Sequence, residues 1–319
     1  MFTDLPLDEL RRYLPSVAEP ADFTEFWAAQ MADLAPQVEF RPAVTPLRHA
    51  DVLDVTFAGH GGDPVRGWLL VPHRQRPAAP VVVEFVGYNG GRGDPADWLG
   101  WSSAGYVHLV MDSRGQGGGW RAADTPDPGD RGGPSTNGFL TRGIADPAGY
   151  YFTRLFVDAA AAVAAARAHP AAAGRAVVTT GASQGGGLAV AAAHLAGGVA
   201  ATLPDVPFLA HVRRAVEVTD AKPYGELIEY GALYPDRIED VFRTLSYVDV
   251  VNHAKRVSAP ALFAVGLLDE ITPASTVFAA YNHYAGPAEI TVHQFGDHDC
   301  AGTRQFHAKI EFLARLGLA

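Results

Sequence analysis

Cysteine is almost missing from this chain of 319 residues. Cys300 stands alone, so no intrachain disulfide can form and nothing points to an oxidising compartment. Positive charge is scarce as well: 25 Lys and Arg face 35 Asp and Glu, a formal net charge of −10. Adjacent basic residues such as Arg11–Arg12 and Arg213–Arg214 are few, and a surface that binds nucleic acid needs a clustered positive field, so no nucleic-acid partner is expected. The longest alanine-rich run, Ala159 to Ala166, falls far short of the roughly 20 residues of a membrane span. The N-terminal residues carry Asp4, Asp8 and Glu9 where a secretion signal carries base, and they include no apolar core segment. The expectation is a soluble, cytoplasmic protein without a membrane partner. There is no His-Glu-x-x-His or paired-cysteine motif, and the surroundings of His60 and His73 lack ligand spacing, so no metal is expected.

What is present is apolar surface, at 48% hydrophobic residues, on a chain long enough to bury a continuous core. Asp22-Phe-Thr-Glu25 reads as a capping box that opens a helix with Phe23, Phe26, Trp27, Met31 and Leu34 on one face and Pro36 as its stop. Residues 51–57 and 65–71 alternate around Gly59-His-Gly-Gly62, the pattern of an antiparallel hairpin. From about residue 80 the texture changes. Short apolar runs occur at Val81–Phe85, Tyr106–Met111, Ala176–Thr180, Ala200–Leu203, Ala261–Val265 and Ile290–Phe295, separated by helical stretches. These include Phe152 to Val163, Leu188 to Leu195, Thr276 to Tyr284 and Phe306 to Leu316. Such alternation predicts an α/β fold, a mostly parallel sheet with helices on both faces. We expect a single domain over 1–319, with an N-terminal helical extension over 1–50 that leads into the hairpin, and a helical insertion near 205–255. Residues 113–148, rich in Gly, Pro and Asp, are too long for a plain connection and predict a functional or mobile loop.

Gly181-Ala-Ser183-Gln-Gly185 follows one predicted strand directly and precedes a helix, the setting of a nucleophile elbow. A side chain at 181 or 185 would collide with the neighbouring strand or helix, which is why glycine is needed there. Ser183 would sit above the sheet beside N–H groups at a helix start, where negative charge is favoured. A serine hydroxyl needs a base, and the base an orienting acid, in the chain order Ser, Asp or Glu, His. Asp269 ends the segment Ala261-Leu-Phe-Ala-Val-Gly-Leu-Leu-Asp at a C-terminal strand edge, and His298 lies on Gly296-Asp-His-Asp-Cys300 between the last strand and the last helix. The later alternatives His283, His293 and His307 fall in helix or strand patterns, while Asp249, Asp297 and Asp299 compete with Asp269. An oxyanion formed on acyl transfer needs two donors. Gln184 N–H would supply one, and the glycine-rich Val86-Gly-Tyr88-Asn-Gly-Gly-Arg-Gly93 is placed to supply the other.

Four segments together resemble one family: Gly87-Tyr-Asn-Gly-Gly-Arg-Gly93, Asp112-Ser-Arg114-Gly-Gln116-Gly, Gly181-Ala-Ser183-Gln-Gly-Gly186 and Pro273-Ala-Ser-Thr-Val-Phe-Ala-Ala-Tyr-Asn282. It is the acetyl xylan esterase and cephalosporin C deacetylase family, carbohydrate esterase family seven, and the likeness spans nearly the whole chain. The resemblance implies an α/β-hydrolase fold, deacetylation of small acetylated sugars and of cephalosporin C, and no cofactor. It implies Ser183 as nucleophile, His298 as base, Asp269 as orienter, and backbone donors from Tyr88 and Gln184. It also implies a homo-oligomer, a hexamer, as partner state. Arg114 and Gln116 match its Arg-Gly-Gln motif, for which a supporting role behind the site is expected, because an Arg fork can pin a long loop. Two departures stand out: Asp299 where the family has Glu, and Val86 where it has His.

Three alternatives stay beside that reading: a broader short-chain carboxylesterase, a peptidase on the same fold, and a binding protein without catalysis. The intact Ser183, Asp269 and His298 speak against the last. Of Trp98, Trp101 and Trp120, core packing is preferred over a sugar-stacking platform, and Cys300 reads as a small buried filler.

Overall fold

The computed structural model describes residues 4–34, 37–128, 135–300 and 302–319. Its strands are β1 (Val38–Pro42), β2 (Ala50–Ala58), β3 (Pro64–Pro72), β4 (Val81–Phe85), β5 (Val107–Met111), β6 (Val177–Ala182), β7 (Ala201–Asp205), β8 (Ala261–Gly266) and β9 (Ala288–His293). The helices are α1 (Leu7–Leu10), α2 (Phe23–Met31), α3 (Leu99–Ser103), α4 (Tyr151–Ala168), α5 (Gln184–Ala196), α6 (Val212–Val218), α7 (Tyr224–Leu233), α8 (Ile238–Val248), α9 (Val250–Ala254), α10 (Ala274–Asn282) and α11 (Thr303–Arg315). One nine-stranded sheet runs in the order β1-β2-β3-β5-β4-β6-β7-β8-β9. The pairs from β1 to β5 are antiparallel, and those from β5 through β4 to β9 are parallel. The expected hairpin is β2 with β3, Val55 opposite Gly67. Strand β1 had no clear sequence signal, since only every second residue of this half-exposed edge strand turns toward the protein.

The period of two along β4 divides the core. Val81, Val83 and Phe85 pack with α4 and α5, whereas Val82 meets Trp101 of α3 and Phe312 and Leu313 of α11 on the other face. Helices therefore cover both sides, and the interior strands read as continuous apolar runs because neither face meets water. The expected insertion is helical, formed by α6 to α9 after β7. Among the described residues no helix is long and apolar enough to cross a membrane.

Three local expectations need correction. The Asp22 carboxylate makes no capping bond to α2 and instead accepts the Tyr247 hydroxyl at 2.7 Å. Helix α2 ends at Met31, and Pro36 lies outside the described residues. Helix α5 begins at Gln184 rather than at Leu188: the glycine run is its first turn, because a Cβ on Gly186 or Gly187 would lie 2.5 Å from the Asp205 or Phe208 carbonyl oxygen.

The α2 face rests on a buried histidine pair. His194 Nδ1 and His253 Nδ1 are 3.0 Å apart, and the His253 ring packs edge-on to Phe23, Trp27 and Phe156. Burial pushes His194 down to about 4 and His253 well below its ordinary value. Both rings are neutral in the folded chain at pH 5, while the unfolded chain, titrating near 6.5, binds protons there. Stability is therefore lost as pH falls below about 6.5, by roughly 2 kcal/mol at pH 5 for His194, with His253 acting in the same direction. Thermal unfolding followed between pH 7 and pH 5 should show the midpoint dropping, with a shallower slope in His194→Gln.

Candidate active site

The sheet order places a switch point between β4 and β6. From β4 the chain moves outward to β5, then returns to lay β6 on the opposite side, so the C-terminal ends of β4 and β6 flank a crevice. Ser183 stands at the β6 end with φ 58° and ψ −120°, a left-handed conformation uncommon for a residue with a side chain. It is held by three bonds: its N–H donates to the Asp205 carbonyl at 3.0 Å, and its own carbonyl accepts from Gly187 at 3.0 Å and Phe208 at 2.9 Å. A Cβ on Gly181 would lie 2.5 Å from the Gly185 backbone, and one on Gly185 would lie 2.1 Å from the Phe85 carbonyl oxygen. Strand, turn and helix thus approach at backbone contact, and Ser183 is lifted to the wall of a cavity of about 410 Å³.

His298 lies on the wall of the same cavity, and its Nδ1 donates to Asp269 Oδ2 at 2.8 Å. Asp269 is itself immobilised. Its Oδ1 accepts the N–H groups of Ile271 at 2.8 Å and Thr272 at 2.9 Å, and its Oδ2 accepts the Thr272 hydroxyl at 2.7 Å. Those bonds fix which carboxylate edge meets the imidazole. Asp249, Asp297, His283 and His293, four of the rivals, are engaged elsewhere. Asp249 caps α9 and accepts the N–H groups of His211, Val212 and Val251, while burial raises its pKa to about 6. His293 bonds Gln305, and His283 the Ala279 carbonyl. Asp297 accepts the Asp299 N–H.

Tyr88 follows β4 across the crevice from Ser183. Its hydroxyl donates to the Glu226 carboxylate, 2.9 Å from Oε2, and accepts the N–H groups of Phe139 and Leu140 at 3.0 and 3.2 Å. Burial and then Glu226 push this phenol far above its ordinary pKa, so it stays a neutral donor. Gln116 is fully buried and links the segment that leaves β4 to the start of α5: Oε1 accepts the Asn89 N–H at 2.7 Å, while Nε2 donates to Gln184 Oε1 at 2.7 Å and to the Tyr151 hydroxyl at 2.9 Å. Gln184 Nε2 in turn donates to the Val86 carbonyl at 3.0 Å. Arg114 lies one layer deeper. Its guanidinium forks onto Asp158 at 2.6 and 2.8 Å and reaches Asp63 at 3.1 Å and Asp127 at 3.4 Å.

Several residues of the cavity were not singled out from sequence. Lys222, Pro223 and Ile271 line it, as do Asn89, Asn137 and Glu84. The Asp-x-x-Thr spacing of Asp269 and Thr272 is a local turn signal that could have marked Thr272. Glu226, 138 positions from Tyr88, has no such signal. Trp101 packs in the core, and Trp98 is buried but touches the cavity. Trp120 departs from the core reading: it is 57% exposed, lines the cavity, covers Gly90 and donates from Nε1 to the Tyr88 carbonyl at 2.8 Å. Cys300 is buried against Val206 and Ala264, and burial pushes its thiol well up. A larger cavity of about 660 Å³ lies between residues 16–22 and α8, away from these groups. Among the described residues no cluster of three or more His, Cys, Asp or Glu could hold a metal ion.

Comparison with known proteins gives this geometry a context. A sequence model of the acetyl xylan esterase family matches residues 1–316. An acetyl xylan esterase from a Paenibacillus species is 36% identical, with 98% of this chain and 99% of that one superposed at a TM-score of 0.88. Acetyl xylan esterase 1 from a Thermoanaerobacterium species is 32% identical over the same shares, at 0.87. An acetyl esterase of Xylanibacter ruminicola is 28% identical over 169 residues, 51% of this chain, and the match spans only 36% of that longer protein. The acylaminoacyl peptidase of Pyrococcus horikoshii, 18% identical at a TM-score of 0.60 over 85% of this chain and 42% of that one, shares the α/β-hydrolase fold.

The elbow contact has a measurable consequence. Gly185→Ala places a methyl against the Phe85 carbonyl, which cannot yield without parting β4 from β6, and should cost about 3 kcal/mol or more. Gly100→Ala in α3 meets only the Phe306 ring at 3.4 Å and should stay within about 1 kcal/mol of the parent. Urea unfolding of both variants checks the contrast.

Proposed function

Since the chain belongs to the acetyl xylan esterase family, and so to the carboxylic ester hydrolases, we propose that it removes acetyl groups from small acetylated sugars, and from cephalosporin C, through Ser183, His298 and Asp269. The observation that carries this reading is the 2.8 Å bond from His298 Nδ1 to an Asp269 carboxylate that three further donors hold still, on the cavity that Ser183 lines. With Nδ1 donating to Asp269, Nε2 is left as the basic nitrogen.

In this mechanism His298 Nε2 takes the Ser183 proton as Oγ attacks the acetyl carbonyl. Negative charge collects on the carbonyl oxygen, and the backbone N–H groups of Tyr88 and Gln184 receive it. Each such donor contributes about 2.7–4 kcal/mol to the transition state. The proton passes from His298 to the departing alcohol oxygen as the carbon–oxygen bond breaks, leaving an acetyl ester on Ser183. Water then attacks with His298 again as base, and acetate leaves with the enzyme restored. Gln116 keeps the two donors in register, since it bonds both the residue after Tyr88 and the side chain of Gln184. A preference for acetyl requires steric exclusion of longer chains, because each added methylene would gain about 0.8 kcal/mol in an apolar pocket.

Turnover of p-nitrophenyl acetate, butyrate and octanoate tests the reading. We expect activity to fall with chain length, Ser183→Ala to lose several orders of magnitude in kcat, and Asp269→Asn to lose about 10³–10⁴-fold. Activity that climbs with chain length would instead mark a general carboxylesterase. Undiminished activity in Ser183→Ala would remove the nucleophile assignment. Gln116→Ala should lower kcat about tenfold with KM little changed, since it loosens the oxyanion donors without touching the bound ester.

A further inference from the structure

Buried and half-buried carboxylates in this molecule are satisfied by donors. Asp112 accepts four backbone N–H groups, from Arg92, Ser113, Asp124 and Thr125. Asp249 accepts three, and Asp158 takes the Arg114 fork together with the His60 N–H. Glu84 differs. It lies in β4 next to Phe85, paired with Val110 and Thr180, so that it shares the face of Val82 rather than that of the α4 and α5 core. Its side chain is 24% exposed and lines the cavity that holds Ser183 and His298. His108 Nε2 lies 2.8 Å from Oε2 and is the one close polar neighbour of this carboxylate among the described residues. Beyond His108, no donor among the described residues makes a hydrogen bond to the Glu84 carboxylate.

A carboxylate withdrawn from bulk water with a single neighbouring donor keeps acceptor capacity unfilled, so a ligand that brings a hydroxyl to it is favoured. Burial works to raise the Glu84 pKa, yet His108, Lys309 and Arg121 together hold it below the usual carboxylate range. At neutral pH the group is therefore an ionised acceptor. Its companions on the cavity wall complete the pattern. The Arg121 guanidinium lies 4.4 Å over the Trp98 ring and 5.0 Å over the Trp120 ring, with Asp97 at 3.4 Å, so its donors are held in place. An open acceptor, a fixed fork of donors and indole surface suit a ring that carries hydroxyl groups.

Resting on the reading of the substrate as an acetylated sugar, we propose that Glu84 accepts a hydroxyl of the alcohol part of the ester and thereby selects hydroxylated rings over apolar ones. Ester cleavage belongs to the residues on Ser183's side of the cavity, and the choice of alcohol belongs to Glu84. The test compares monoacetylated xylose with cyclohexyl acetate, two ring esters that differ in their hydroxyl groups, on the wild type, Glu84→Gln and Glu84→Ala. The ratio of the two kcat/KM values is read from a single preparation, so a partly unfolded variant lowers both terms without moving the ratio.

We expect the wild type to favour the xylose ester, Glu84→Gln to reduce that preference about tenfold, mainly through KM, and Glu84→Ala to reduce it further. If Glu84→Ala yields no soluble protein, Glu84→Gln decides alone, because it keeps the shape of the side chain and loses the charge. A wild-type preference that survives unchanged overturns the role of Glu84 and leaves sugar deacetylation standing. A wild type that cleaves cyclohexyl acetate as readily as the xylose ester overturns both the sugar reading and the role drawn from it.

Discussion

The first turn of α5 meets the end of β4 so closely that a single Cβ on Gly185 would overlap the Phe85 carbonyl, and the geometry of the crevice depends on that approach. Because the helix starts this close to the strand, the connection from β6 can only be a sharp turn, and Ser183 occupies it with positive φ. The same approach sets Gln184 beside the chain segment that leaves β4. Val86 and Gln184 are then near enough to bond, and the buried Gln116 closes the remaining gap to Asn89. A strained backbone persists only where its surroundings over-determine it, and here carbonyl contacts, two strand pairings and a buried amide network do so together.

Charge is used below this layer as framework. Arg114 brings Asp158 of α4, Asp63 beside the hairpin and Asp127 of the long loop onto one guanidinium, and Arg154 also binds Asp127. Burying such a group without partners would cost several kcal/mol, so the network holds only as a whole. Its effect reaches the cavity through the chain. The described part of residues 113–148 is tied down at Arg114, at Asp127 and, through Leu140, at the Tyr88 hydroxyl. Between these ties the loop delivers Trp120 to the cavity rim, where its indole covers Gly90. A long loop rich in glycine and aspartate is thereby converted from a connection into a wall.

The sheet was largely legible in the sequence because its strands are buried on both faces and stand out as short apolar runs. Val81–Phe85 was read with its observed bounds, and the β2–β3 hairpin followed from alternation. The Gly-x-Ser-x-Gly turn, Asp269 and His298 were readable because each is tied to a strand end, a position that local pattern can find. What escaped depends on distance in the chain. The Glu226 carboxylate under Tyr88 comes from α7, and the cavity residues Lys222 and Pro223 from the segment before it. The start of α5 was misread for a different reason. Glycine weakens a helix in isolation, yet here it is the only residue that fits against Phe85, Asp205 and Phe208, so packing overrides propensity.

The carboxylates of the crevice show how one functional group can serve opposite ends. Asp269 is surrounded by the donors of Ile271, Thr272 and His298, leaving it no freedom to rotate; a fixed acceptor holds an imidazole in one orientation and one tautomer. Saturation makes it a structural support for a neighbouring group and a poor partner for anything that diffuses in. Glu84 has the reverse condition, a charge kept ionised by His108 at 2.8 Å together with Lys309 and Arg121, and given no donor beyond His108 among the described residues. Such a group gains most from a partner that arrives with a hydroxyl and is released with it, because the partner supplies the bond that the fold withholds. The difference between a saturated and an open carboxylate thus follows from how many donors each already has, and both conditions are set by the strand ends and helix starts that bound the cavity.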